Sequence, residues 1–353
     1  MLLKKPIRHT NFYRAFQLAF TYATSCPPGT LVFVTGPSGA GKSTLKIELF
    51  ESMYGAPVSW KKGEIPVICV RAHNSEAGYF SSKDFYTRML TALGDPFRGG
   101  ARDEVERNGL TLDRADPALI RAAAEAIRLP MTEMHIRRTI ERLARVRGLK
   151  AILIDEAQSM CLTHWNRSPS DHLESLKCLA EEIGVVIYFF GTYDLLQVWN
   201  HSSQLNRRSR LIHLERYLES NELNRDDFCK VLAQLVRSVD FLELKILSKH
   251  AAQILEWTLG IFGEVEGLFE RARDLAVVAG RKMVEWDDIV QSSYNPIQQK
   301  RLLDEVAFGE SIISGNPVVN HPVAKESIGR VSSRRRRMPG RRNPKRDRTG
   351  NDQ

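Results

Sequence analysis

The stretch "GPSGAGKST", residues 36–44, constrains this chain more than any other. It fits the pattern G-x-x-x-x-G-K-[ST] through Gly36, Gly41, Lys42 and Ser43, and its context is the one that pattern requires. A β-rich apolar run, "LVFVT" (31–35), precedes it, and a helical stretch, "KSTLKIELFESM", follows. Glycines at such a turn let backbone N–H groups close around phosphate oxygens, and the helix N-terminus adds its partial positive charge. The loop Gly36, Pro37, Ser38, Gly39, Ala40, Gly41, Lys42, Ser43 and Thr44 is thus a candidate cradle for a nucleoside triphosphate such as ATP. Lys42 is expected to reach the β- and γ-phosphates and Ser43 to ligate Mg²⁺.

A second feature belongs with the first. "AILIDEAQ" (151–158) is an apolar strand ending in two acids, which is costly unless they meet cations or water. Beside a phosphate loop, Asp155 is placed to hold Mg²⁺ and Glu156 to act as general base on an attacking water. Taken alone, the same pair also reads as a helix cap. "VVIYFFGTYD" ends a further strand at Gly191–Thr192, where a small polar side chain can touch a γ-phosphate or orient a water.

The order of elements fits these features. Residues 10–25 read as an amphipathic helix, "IPVICVRA" (65–72) as a second strand, and "SSKDFYTRMLTALG" as a helix. Helices are expected at 117–128, 131–147 and near 171–183, and a short last strand at "LIHLE" (211–215). Strands alternating with helices argue a parallel α/β sheet. From about residue 217 onward the pattern is purely helical. The expected organisation is an N-terminal helical segment (1–30), a nucleotide-binding α/β domain (31–216), a helical lid (217–306) and a disordered basic tail (307–353).

The formal charge of +9 is unevenly distributed. Residues 331–353 hold nine Arg/Lys against two Asp, leaving a near-neutral body. With few apolar residues the tail is expected to be disordered, and Arg334, Arg335, Arg336 and Arg337 are candidate phosphate contacts to DNA, against a purely solubilising role. No stretch reaches the roughly 20 uncharged apolar residues of a membrane-spanning helix. Five scattered cysteines suit reduced thiols, so a cytoplasmic protein with no membrane partner is expected. Cys161, His164, His172 and Cys178 fit no standard zinc spacing, and burial of Cys178 in a helix is the simpler expectation.

"GPSGAGKST", "ILIDEAQ", "FFGT" and "QLNRR", followed by a helical lid, resemble an AAA+ ATPase. More narrowly they are similar to the TniB/TnsC transposition regulators and their relatives, including origin-recognition-type helicase loaders. The resemblance covers roughly residues 7–290 and implies a P-loop AAA+ three-layer sandwich. It further implies an ATPase whose subunits assemble head-to-tail on duplex DNA, as rings or helical filaments, and connect a target selector to a transposase. By position, Thr192 falls at the sensor-1 site and Arg207 or Arg208 at the arginine-finger site. A solvated face and direct DNA contact are the other readings of that arginine cluster. Pore-lining contacts are implied in the interval after the second strand, which contains Arg98 and Arg102. The lid departs from the related loaders. Where those place a sensor-2 arginine, this chain has Glu264 and Glu266, with Arg271 only later, which implies slow hydrolysis. A helicase or replication loader and a signalling P-loop switch without a DNA role are the alternative functions.

Overall fold

The computed structural model describes residues 7, 9–75, 78–94, 132–163, 168–199, 209–239 and 241–315. Five parallel strands form one sheet: β1 (Leu31–Thr35), β2 (Val67–Arg71), β3 (Ala151–Asp155), β4 (Val186–Gly191) and β5 (Ser209–His213). Their spatial order is β2-β3-β4-β1-β5. Interior strands β1 and β4 are buried at every position, as a strand covered on both faces must be. The edge strands β2 and β5 alternate instead with exposed or half-buried residues.

Side chains of successive strand residues point to opposite faces, and this builds two cores. Phe33, Ile152, Ile154, Ile187 and Phe189 enter one. Val32, Val34, Leu153, Tyr188 and Phe190 enter the other. The first core is covered by α3 (Ser82–Ala92), α4 (Glu133–Arg147) and α5 (Pro169–Ile183). The second is covered by α1 (Thr10–Ser25) and α2 (Lys42–Tyr54). The result is the expected three-layer sandwich on a parallel sheet. A short α6 (Leu195–Trp199) lies between β4 and β5.

The remaining described helices are α7 (Glu222–Ser238), α8 (Leu244–Lys249), α9 (Ala251–Trp257), α10 (Phe262–Val278), α11 (Trp286–Ser292) and α12 (Pro296–Ile313). Most surround a separate core of Phe228, Leu235, Leu247, Val265, Phe269 and Ile289.

Several boundaries differ from the sequence expectation. The last strand starts at Ser209 rather than 211, pairing Ser209 with Leu31. The tail expected from 307 begins inside a helix, because α12 continues to Ile313. Docking explains this: Val306 is buried, Gly309 lies against the Tyr193 ring, and Glu310 takes a two-pronged pair from Arg216 at 2.8 and 3.1 Å. Cys178, expected to be buried, lies on the exposed face of α5, while His172 is buried and hydrogen-bonded to Ser82 Oγ at 2.9 Å. Among the described residues no helix is long and apolar enough to cross a membrane, and no group of three or more His, Cys, Asp and Glu forms a metal cluster.

Candidate functional site

Strand order brings the three sequence motifs together. β3, β4 and β1 are neighbours and parallel, so their carboxyl ends open on one edge of the sheet. In open α/β sheets that edge is where ligands bind. The loop after β1, the acids after β3 and the Gly191–Thr192 turn after β4 line a single cleft of about 320 Å³. Its walls include Ser38, Gly39, Gly41, Lys42, Ser43, Thr44, Asp155, Glu156 and Thr192. Gly36, Pro37 and Ala40 complete the loop behind them.

The loop takes a shape that only glycine adopts readily. Gly39 and Gly41 have φ of +78° and +91°, and Gly41 caps the N-terminus of α2. Lys42 folds back over this loop, its Nζ donating to the carbonyls of Gly36 at 2.9 Å and Pro37 at 2.6 Å. Burial pushes its pKa down to about 8, partly opposed by the field of Glu305, Glu156 and Asp155. A hydroxyl, a carboxylate and a glycine-lined helix N-terminus form a hard-oxygen and N–H donor set, which fits a magnesium nucleotide.

The acids are held by partners that sequence reading did not single out. Asp155 Oδ1 accepts the Glu156 N–H at 3.1 Å, and Oδ2 accepts from Lys46 Nζ on α2. Glu156 Oε1 lies 3.6 Å from Arg71 Nη2, at the end of β2. Its Oε2 accepts from Gln158 Nε2 at 2.6 Å. Glu156 has φ +52°, a left-handed conformation that non-glycine residues avoid and that recurs at functional sites. The Thr192 N–H donates to Gln158 Oε1 at 3.3 Å, and its carbonyl accepts from Thr35 Oγ1 at 3.1 Å. Lys46 and Arg71 carry no motif signal, and Gln158 stands inside "ILIDEAQ" with no role assigned to it from sequence. Only the strand register, which sets Arg71 opposite Asp155, reveals Arg71.

The lid reaches the same cleft. Phe262, Gly263 and Glu266 at the start of α10 line it, and Gly263 N–H donates to Gly39 O at 2.9 Å. Arg271, two turns along, is engaged elsewhere: its Nε donates to Ser292 O at 3.0 Å and its guanidinium lies 4.6 Å from the Tyr294 ring centre. The acid at the cleft wall is therefore Glu266. Arg210 lies exposed within β5 and donates to Ser209 O. Arg207 and Arg208 lie outside the described residues, as do Arg98, Arg102 and Arg334, Arg335, Arg336 and Arg337.

Residues 28–199 match the family model of an AAA domain. No curated protein matches the chain. Among solved structures, the fold is similar to the Aeropyrum pernix ORC1 protein in complex with DNA, at 12% identity and TM-score 0.54, over 82% of this chain and 67% of that one. It is also similar to the ORC2 protein of that organism in ADPNP–ADP complexes, at 15% identity and TM-score 0.52, over 91% and 79% of the two chains. A Walker-type ATPase of Pyrococcus abyssi matches at 15% identity and TM-score 0.50, over 88% of this chain and 78% of that one. At these identities the likeness is one of fold. With the cleft's geometry and the family match, residues 28–199 are an AAA domain, carried on an AAA+ P-loop fold with a helical C-terminal region.

Proposed function

We propose that this protein is an ATP-hydrolysing AAA+ regulator of DNA transposition that binds duplex DNA without sequence specificity and assembles on it. The observation that carries the ATPase part is the shared cleft, in which the phosphate loop, the acid pair and Thr192 meet at the ends of three adjacent strands. The loop amides and Lys42 bind the phosphates, and Lys42 leaves the carbonyls of Gly36 and Pro37 to do so. Ser43 and Asp155 hold magnesium, which supplies charge neutralisation on the phosphate oxygens. Glu156 accepts the proton of the attacking water as that water adds to the γ-phosphorus and the bond to the β-phosphate oxygen breaks. Gln158 aims the Glu156 carboxylate and the Thr192 turn together.

Glu266 in place of a lid arginine leaves the γ-phosphate without a cation from its own lid, so turnover is slow until a neighbouring subunit supplies Arg207 or Arg208. ATP then acts as an assembly switch: nucleotide joins subunits and hydrolysis releases them. The basic tail with Arg98 and Arg102 supplies phosphate contacts to DNA. The transposase, with its target selector, is the partner implied by the TniB/TnsC resemblance. A replication or helicase loader is a second reading, favoured by the likeness of fold to the two origin-recognition proteins.

The test is electron microscopy and ATP turnover of the wild type and Glu156→Gln, with and without duplex DNA. DNA-dependent assemblies with ATP that Glu156→Gln traps are expected, with turnover reduced at least about a hundredfold. A nucleotide-loaded monomer indifferent to DNA would sink the assembly reading. Capture of a transposase rather than a helicase by the full-length chain separates the two partners.

A further inference from the structure

Lys46 lies one turn beyond Lys42 on α2, at a position the phosphate-loop pattern leaves unrestricted. Its ammonium donates to Asp155 Oδ2, and the two side chains are only 13% and 20% exposed. The carboxylate is fixed on both sides, since Oδ1 takes the Glu156 N–H. Asp155 is part of the cleft wall, and Lys46 reaches its carboxylate from α2. The neighbouring Glu156–Arg71 pair is looser, at 3.6 Å and with 41% and 60% exposure. The shielded pair of the cleft is therefore Lys46–Asp155.

A bare carboxylate in this position repels the triphosphate it faces, and the repulsion is strong in a half-buried site where water screens poorly. A divalent ion between them ordinarily turns the contact favourable. Here a cation is already attached to the carboxylate through the fold itself. We infer that Lys46 is a built-in counter-cation of Asp155, a positioning residue that lets the phosphate loop take up nucleotide without a divalent ion. Uptake and hydrolysis are then separable: the first needs the loop, Lys42 and the Lys46–Asp155 pair, and only the second needs metal. The inference rests on the nucleotide-binding reading above.

The experiment is titration of the full-length protein with a fluorescent ATP analogue, once in Mg²⁺ and once in EDTA, comparing the two Kd values. The wild-type ratio is expected to stay within about tenfold, and Lys46→Met to widen it by a further factor of about ten, nearly all in the EDTA arm. Lys46→Arg, which keeps the charge, restores the wild-type ratio. A purely structural lysine would weaken both arms alike, and an unchanged ratio in Lys46→Met overturns the inference. So does a wild type that binds only with Mg²⁺, a measurement that decides the matter even if Lys46→Met does not fold. Absence of binding in both arms overturns the nucleotide reading and this inference together, whereas binding with a ratio indifferent to Lys46 overturns this inference alone.

Discussion

Gln158 Nε2 donates a 2.6 Å hydrogen bond to Glu156 Oε2, while its own Oε1 accepts the Thr192 N–H at 3.3 Å. One amide thus joins the carboxyl ends of β3 and β4. Gly191 leaves it room: a Cβ there would stand 2.9 Å from Gln158 Oε1 and 3.2 Å from the Gln158 backbone N. Gln158→Ala should leave nucleotide affinity nearly unchanged and lower the turnover number roughly ten- to hundredfold, since it loosens the aim of the proposed base without touching the phosphate loop. Steady-state ATPase assays beside nucleotide titration check this. Equal losses in affinity and turnover would mean that Gln158 supports the cleft as a whole.

The docking of the lid on the phosphate loop depends on a second glycine. A Cβ on Gly263 would lie 2.6 Å from Gly39 O and 2.7 Å from Gly39 Cα, and both are backbone atoms that cannot rotate away. Gly263→Ala should therefore push α10 off the loop, break the 2.9 Å bond from Gly263 N–H to Gly39 O, and destabilise the protein by about 1–3 kcal/mol. Thermal denaturation reads the loss, and a nucleotide titration reads the loop. Unchanged nucleotide affinity would show that the loop holds its shape without the lid.

Much of this was legible in the sequence, for a physical reason. Strands β1 and β4 are continuous apolar runs because both faces are covered, and "GPSGAGKST" needs Gly39 and Gly41 where φ is positive and Gly36 where a Cβ would stand 2.7 Å from Leu214 O. These are local demands that leave local traces. The partners of the acid pair left none. Lys46 and Arg71 reach Asp155 and Glu156 from α2 and β2, and that meeting exists only once β2 pairs with β3 and α2 packs on the sheet. The length of α12 was hidden in the same way: residues from 307 on read as tail until Tyr193 and Arg216 are seen against Gly309 and Glu310.

That contact carries its own prediction. A Cβ on Gly309 would fall 2.0 Å from Tyr193 Cγ, inside a ring that is buried and hydrogen-bonded through its hydroxyl to His213 Nε2 at 2.8 Å. Tyr193 directly follows Thr192, so displacing α12 disturbs the turn at the cleft. Gly309→Ala should lower the melting temperature and reduce turnover together. Glu310→Gln, which weakens only the Arg216 pair, should show a smaller effect on both. A Gly309→Ala protein with wild-type turnover would confine α12 to a stabilising role.

Acid should loosen the joint between the N-terminal helix and the lid. His9 caps α1 and is 8% exposed, with its ring 5.5 Å from those of Tyr217 and Phe262. Its Nδ1 accepts from the Phe12 N–H at 3.4 Å and lies 2.8 Å from the Tyr217 hydroxyl, so a proton on Nδ1 would displace the Phe12 N–H and leave the Tyr217 oxygen as acceptor. Burial pushes its pKa down from 6.5 to about 4. Below the ordinary value the unfolded chain binds a proton that the folded chain refuses. The contribution is therefore whole above pH 6.5 and is lost as pH falls to about 4, with a limit of about 3 kcal/mol. Burial lowers His213 as well, in the same sense. His9→Gln should flatten, without abolishing, the fall of melting temperature between pH 6.5 and 4. A wild-type slope in that variant would assign the acid sensitivity to His213 and the carboxylates instead.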